Sequence, residues 1–349
     1  MRLRRADPNG SGWTRVRHGT GFSYRDADGE LLDRSTIADL KSLAIPPAWT
    51  GVWICPQRNG HIQATGYDAA GRKQYLYHPQ WREQRDRLKF DRVLEAASLL
   101  PTARATWTEH LSLEGMPRER ATACAVRLLD LGYFRIGSDA YTDSNGSFGL
   151  TTLEKRHVRR SGDRLLFEFT GKSGVDHHVE IDDPLAIEAV EKMRRRRSGS
   201  ERLMAYQDAH EWLDLDAADV NEYLRVGTGG DLTAKDFRTW HATVIAAVSL
   251  ALTEEPGSSK RSRQRAVKQA CVEVSDYLGN TPTMAKNSYI DPRVIDLYED
   301  GVTIRAALER EYDSEVEKQV AVERAVCRIV SEDPDSVGGV CDPQTEAAA

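Results

Sequence analysis

Four cations stand where the sequence pattern changes from one element to the next. Arg135 lies in Tyr133-Phe-Arg-Ile-Gly137, just past a helix stop at Gly132. Lys172 lies in Phe169-Thr-Gly-Lys-Ser-Gly174, between two alternating segments. Lys235, Arg238 and His241 are three apart at the start of a helical pattern, hence on one face. Helix N-termini with cations nearby favour bound anions. Taken singly, an arginine is more often structural or solvated, so the contexts of these cations carry the information. Other chemistries lack their patterns. There is no GxxxxGK[ST] loop and no GxGxxG after a strand, so no ATP or dinucleotide signature is present. There is no HExxH and no carboxylate cluster at metal-ligand spacing. His177 and His178 are adjacent, so a strand points them to opposite faces. They suit one packing and one surface position better than a shared metal.

The elements that must position these cations can be read from punctuation. Residues 1–80 read as short strands and turns. Gly21-Phe-Ser-Tyr-Arg25 forms one hairpin arm, and Gly51–Cys55, His61–Tyr67 and Gln74–Tyr77 form further strands. Ser35–Leu43 reads as a short helix stopped before Pro46-Pro47. From about Pro79 the periodicity is helical. Pro117 opens a helix that Gly132 closes. Thr233 with Asp236 is a capping box starting a long helix to about Thr253. Further helices run from about Ser262 to Leu278, stopped by Gly279, and from Asp291-Pro292 to near Gly301. Arg164–Thr170 and Val175–Ile181 form a hairpin with Lys172 at its tip. Arg194–Arg197 reads as a solvated loop, and residues 331–349 as a frayed acidic tail.

The composition is that of an ordinary globular protein of roughly two domains. Its 349 residues are 40% hydrophobic and 29% charged. The longest apolar stretch, Val244–Leu252 around Ser249, is far short of the ~18–20 residues needed to span a bilayer. The N-terminus MRLRRADPNG has no apolar run behind it, so no secretory signal is expected. Five scattered cysteines without CxxC argue against a disulfide framework or a zinc site and fit a reducing cytosol; Cys124 and Cys271 sit in apolar helical stretches and read as core. The net charge of −6 hides an asymmetry. Residues 1–90 carry 15 Lys/Arg against 9 Asp/Glu, whereas residues 301–349 carry 5 against 11. A basic face can bind phosphates whatever the chain average.

The motifs together are more specific than any one of them. Phe134-Arg-Ile-Gly137 is followed by Phe148-Gly-Leu-Thr-Thr-Leu153 and Phe169-Thr-Gly-Lys-Ser-Gly174. Then come Lys235-Asp-Phe-Arg-Thr-Trp240 and Leu278-Gly-Asn-Thr-Pro-Thr-Met-Ala-Lys-Asn-Ser-Tyr-Ile290. In this order the chain closely resembles type IB DNA topoisomerases of the compact poxvirus-like and bacterial kind. The resemblance covers most of residues 10–300 and includes Ile45-Pro-Pro-Ala-Trp49 and Gly71-Arg-Lys-Gln-Tyr-Leu-Tyr-His78.

That resemblance implies an α+β fold: a bilobed clamp with a β-rich N-terminal lobe and a mainly α-helical catalytic lobe carrying a small β-hairpin or sheet. The expected divisions are 1–80 for the DNA-binding lobe, 81–301 for the catalytic domain, and 302–349 for a C-terminal helix and acidic, disordered tail. The implied activity is relaxation of supercoiled DNA by transient single-strand cleavage and religation, without cofactor, ATP or metal. Tyr289 would be the nucleophile that forms a 3′-phosphotyrosyl link. Arg135 and Arg238 would clamp the scissile phosphate, Lys172 would protonate the leaving 5′ oxygen, and Lys235 would assist nearby. Many relatives have His nine residues before the tyrosine; Asn280 stands there in this chain, able to donate a hydrogen bond but not to titrate. Arg72, Lys73, Gln74, Tyr75 and Tyr77 are the expected DNA contacts of the first lobe, and Tyr75 and Tyr77 share a strand face. The expected partner is double-stranded DNA, with no membrane, bound by a monomer closing around the duplex in the cytoplasm at the nucleoid. A tyrosine recombinase or a non-catalytic DNA-binding protein on the same fold are the alternatives. Recombinases usually have His three residues before the second arginine, where this chain has Lys235.

Overall fold

The structure is a computed structural model; it describes residues 2–132, 134–139, 142, 146–230, 232–253 and 259–331. Two compact units divide the chain, Met1–Lys89 and Phe90–Ala349. The first is β-rich and the second mostly helical, so the fold class is α+β. Residues 332–349, which hold most of the expected acidic tail, lie outside the described residues.

In the N-terminal unit, five antiparallel strands form one sheet. They are β1 (Trp13–His18), β2 (Gly21–Arg25), β3 (Thr50–Ile54), β4 (Ile62–Tyr67) and β5 (Lys73–Tyr77), in the order β2-β1-β3-β4-β5. Helix α1 (Arg34–Ser42) starts at Asp33, whose carboxylate accepts from the N–H groups of Ser35 and Thr36. Tyr24, Leu40, Ile45, Val52, Ile54 and Ala64 make the core. The Ile45–Trp49 motif is fixed by Arg15, which donates to the carbonyls of Ile45, Pro46 and Trp49 at 2.9 Å each. Two prolines leave that segment poor in N–H donors, so a side chain supplies the missing hydrogen bonds. Helix α2 (Pro79–Ser98) then carries the chain past Lys89, so the expected limit at residue 80 falls in its first turn.

The second unit is built around α4 (Arg118–Gly132), where Ala121, Cys124, Ala125, Leu128 and Leu129 are fully buried. Around it lie α3 (Leu100–Leu111), α5 (Pro184–Arg194), α6 (Ala217–Thr228) and α7 (Ala234–Leu252). There follow α8 (Lys260–Leu278), α9 (Pro282–Ser288), α10 (Pro292–Glu299), α11 (Arg305–Leu308) and α12 (Glu315–Val330). The local start and stop signals hold. Asp236 accepts from the Thr233 backbone N–H at 2.9 Å and hydroxyl at 2.7 Å to begin α7. Gly279, at φ +61°, ends α8 in the left-handed conformation that glycine adopts without strain. Cys124 and Cys271 are core residues, as the sequence suggests. No helix among the described residues is long and apolar enough to cross a membrane.

Three features depart from the sequence reading. The expected hairpin has a third strand, giving a sheet β6 (Val158–Ser161), β7 (Arg164–Thr170), β8 (Asp176–Ile181) in that order. A second hairpin, β9 (Ala205–Asp208) with β10 (Glu211–Asp214), was not anticipated. The Arg194–Arg197 run is not simply solvated. Arg196 is buried and donates to the carbonyls of Met193, Leu203 and Ser200 at 2.7, 3.0 and 3.2 Å. Its guanidinium also lies 5.6 Å from the Trp212 ring centroid. A loop whose carbonyls turn inward needs a multivalent donor, and arginine provides five N–H groups.

A buried ionic cluster ties four helices together. Arg104 of α3 donates to Asp130 of α4 at 2.7 and 2.9 Å, and to Glu323 of α12 at 2.7 and 2.9 Å. His241 of α7 meets the same Asp130 at 3.1 Å.

Candidate active site

Two neighbouring clefts of the second unit, about 670 and 440 Å³, share Arg135, Lys172, Arg238 and Tyr289 in their walls. Each residue arrives on a different element. Arg135 follows α4 in an extended segment that pairs with residues 149–151. Leu150 N–H donates to Arg135 O and Thr151 N–H to Ile136 O, both at 2.8 Å. A Cβ on Gly149 would lie 2.5 Å from Gly137 N and 2.8 Å from Arg135 O. The two motifs Phe134–Gly137 and Phe148–Leu153 therefore occur together because their backbones touch.

Arg238 lies one turn into α7, buried, and donates to the Leu278 carbonyl at 2.6 Å. That bond joins α7 to the C-terminus of α8, where Gly279 and Asn280 begin the approach to Tyr289. Thr281 caps the short helix α9, and Tyr289 is the residue that ends it. The Tyr289 carbonyl accepts from Thr243 of α7 at 3.4 Å, and the Asp291 N–H donates to the same Thr243 oxygen at 3.1 Å. Tyr289 thus sits at a helix end, as its position after Thr281-Pro282 suggests, with its backbone anchored to α7. Lys172 is exposed on the single-turn helix Lys172–Gly174 at the β7–β8 tip.

The electrostatics centre on the Tyr289 hydroxyl. Burial alone would raise its pKa, but hydrogen bonds from Arg135 and Arg238 and their positive charges outweigh burial and bring it below the ordinary tyrosine value. Arg238 lies 5.6 Å from the Tyr289 ring. Its own pKa is depressed to about 10, by burial first and then by the charge of Arg135. It remains cationic at neutral pH. The Asn280 side chain lines the same cleft, and both its amide atoms are buried without a partner among the described residues. A buried amide of that kind is suited to a ligand oxygen. Lys235, in the first turn of α7, is exposed and lines the smaller cleft beside Arg238. His241, expected on the same face, is instead buried against Asp130 and lines neither cleft. Among the described residues no group of three His, Cys, Asp or Glu side chains could hold a metal ion.

The arrangement is two guanidiniums on a phenol, with a lysine and an amide alongside. Residues 78–318 match the sequence model of the eukaryotic DNA topoisomerase I catalytic core, and residues 21–68 match the bacterial DNA topoisomerase IB N-terminal domain. The chain belongs to the type IB DNA topoisomerases. It is similar to the DNA topoisomerase 1B of Acanthamoeba polyphaga mimivirus, 27% identical over 293 residues that cover 82% of this chain and 87% of the viral protein. It is 22% identical to the DNA topoisomerase 1B of Vaccinia virus (strain Copenhagen), covering 67% of this chain and 72% of that protein. The DNA topoisomerase 1 of Rabbit fibroma virus is 20% identical over 79% of this chain and 88% of its own length. As a topoisomerase this chain is an isomerase that acts on DNA.

The topoisomerase's other expected site residues lie on β5 and its turn in the N-terminal unit. Tyr75 and Tyr77 are exposed on one face with rings stacked 6.0 Å apart, so neither is a core residue. Lys73 reaches over Tyr75. Asp68 tethers the Arg72 guanidinium at 2.9 Å and the Gln74 amide at 3.0 Å. Sequence reasoning gave the adjacent histidines no part in the cleft. His177 is half-buried in the larger cleft and stacks on Phe169 at 5.1 Å, while His178 is exposed. The pairing of Phe169 with His177 across the hairpin was the available signal.

Proposed function

We propose that this topoisomerase relaxes supercoiled DNA by cutting one strand through Tyr289 and resealing it, without ATP or a metal ion. The Tyr289 oxygen attacks the scissile phosphorus and forms the 3′-phosphotyrosyl bond as the P–O5′ bond breaks. The phenolic proton leaves to solvent, helped by the lowered pKa. Lys172 gives a proton to the departing 5′ oxygen, which is otherwise a poor leaving group. Arg135, Arg238 and Asn280 donate hydrogen bonds to the non-bridging oxygens, where charge develops. Lys235 assists beside Arg238. Religation is the reverse displacement, so the covalent link stores the bond energy while the free end rotates.

The N-terminal unit, 1–80 in functional extent, would contact duplex DNA through Arg72, Lys73, Gln74, Tyr75 and Tyr77. A monomer would close around the duplex, in the cytoplasm at the nucleoid. The observation that most supports the reading is that Arg135 and Arg238 share the cleft walls with the Tyr289 phenol and bring its pKa below the ordinary tyrosine value. With DNA bound, the same two guanidiniums would share the phosphate that the phenol attacks. The test is relaxation of plasmid in EDTA without nucleotide, with Tyr289→Phe beside the wild type. Wild type should relax the plasmid and form a covalent adduct; Tyr289→Phe should bind DNA yet do neither. An adduct in the variant, or a wild type inactive without metal or ATP, would refute it.

A further inference from the structure

His177 has a place in the cleft that its neighbours explain only jointly. Its ring stacks on Phe169 with an interplanar angle of 17°. Two glycines meet the same ring. A Cβ on Gly171 would lie 2.6 Å from His177 Cδ2, and a Cβ on Gly279 would lie 2.6 Å from His177 Cε1. Gly171 immediately precedes Lys172, and Gly279 immediately precedes Asn280. The imidazole therefore separates the backbone that carries Lys172 from the backbone that carries Asn280, in van der Waals contact with both. Burial, then Arg238 and Arg135, lower its pKa, so the ring is neutral at neutral pH and adds no charge beside the guanidiniums.

We propose that His177 is a positioning residue: a spacer clamped between Gly171 and Gly279 that sets the Lys172 turn at its working distance from the Tyr289 cleft. The idea rests on Lys172 as the proton donor proposed above. The Lys172 turn has exposed residues throughout and depends on what lies beneath it for its placement. A misplacement of about 1 Å at a reacting group costs about 100-fold in rate. Loss of the spacer should therefore slow the step in which Lys172 acts and leave DNA binding intact.

The experiment is single-turnover cleavage of two duplexes, one with the natural 5′ bridging oxygen and one with sulfur there. Sulfur is a better leaving group and needs little protonation. His177→Ala should cleave the oxygen duplex about 10–100-fold slower, with DNA affinity within about twofold of wild type, and should recover most of that loss on sulfur. Lys172→Ala/His177→Ala should be no slower than Lys172→Ala. Gly171 has φ −97°, so Gly171→Ala strains no backbone and acts by pushing on the ring. It should slow cleavage in the wild type and change little when His177 is already Ala. Wild-type rates for His177→Ala overturn the inference, and so does equal slowing on both duplexes. So do multiplied effects in the double variants. If Lys172→Ala itself is not rescued by sulfur, the proton-donor reading fails instead, and the two failures are distinct.

Discussion

Arg104 is the charge on which the second unit most depends, and its replacement gives a graded stability prediction. Its guanidinium serves two carboxylates, with side-chain exposures of 9% for Arg104, 1% for Asp130 and 5% for Glu323. Arg104→Met would leave Asp130 and Glu323 buried with only neutral or titratable company, Gln319 at 3.1 Å and His241 at 3.1 Å. Breaking a buried ion pair costs about 3–5 kcal/mol, and a centre shared by two carboxylates belongs at the upper end. Glu323→Ala keeps the bidentate Arg104–Asp130 pair, so it belongs at the lower end. At about 2–4 °C per kcal/mol for a unit of this size, the melting temperature should fall by roughly 10–20 °C for Arg104→Met and roughly 6–12 °C for Glu323→Ala. The gap should depend on pH. Burial opposes ionisation of Asp130, but Arg104 and the His241 hydrogen bond overcome it and hold the carboxyl well below its usual range. A depressed carboxylate contributes stability above its unfolded pKa of about 4 and loses it as pH falls. The Arg104→Met penalty should therefore be full at pH 7 and shrink below about pH 4. Thermal unfolding followed by near-UV circular dichroism across pH 3–7 checks this. A penalty under about 1 kcal/mol, a Glu323→Ala penalty as large as that of Arg104→Met, or a pH-independent gap would refute the reasoning.

Four further outcomes are expected. Asn280→Ala should slow cleavage by about 10²–10³, as for the loss of one oxyanion donor, whereas Asn280→His should stay active; a histidine variant as slow as alanine would show that the position supplies shape alone. Titrating the phenolate absorbance of wild type against Tyr289→Phe should place the Tyr289 midpoint below the ordinary tyrosine value, and Arg238→Ala should move it up, because a cation that favours the phenolate is lost; an unmoved midpoint would contradict the arginine contact. Gly149→Ala should cost about 1–3 kcal/mol by overpacking and slow adduct formation by shifting Arg135, and a normal cleavage rate would break that link. Lys73→Ala should weaken DNA binding at every sequence and lower the magnitude of the salt slope by about 1, while an unchanged slope would remove Lys73 from the DNA contact.

Much of the scaffold was written in short-range signals. Gly279 stops a helix because of what glycine permits, and Thr233 with Asp236 starts one through a hydrogen bond three residues long. Such signals need no partner elsewhere in the chain, so α4, α7, α8 and α10 could be bounded from the sequence. The motifs also marked Arg135, Lys172, Arg238 and Tyr289, and the fold brings these four into shared clefts.

Tertiary structure decided the rest, for a consistent reason. β6 and the β9–β10 hairpin are four-residue arms whose identity depends on the strand beside them, which local alternation does not encode. Arg196 looked solvated within a run of arginines until inward-turned carbonyls gave it acceptors. His241 shares a helix face with Arg238 by spacing, yet Asp130, 111 residues away in sequence, draws it into the ionic cluster. One of His177 and His178 was expected to pack, and it is His177; what it packs between, Gly171 and Gly279, is set by the meeting of a hairpin and a helix end more than a hundred residues apart. Residue type and local spacing determine which groups are available and where elements start and stop, because those depend on bonds spanning a few residues. Which groups meet depends on the closing of long loops, and that only the folded chain specifies.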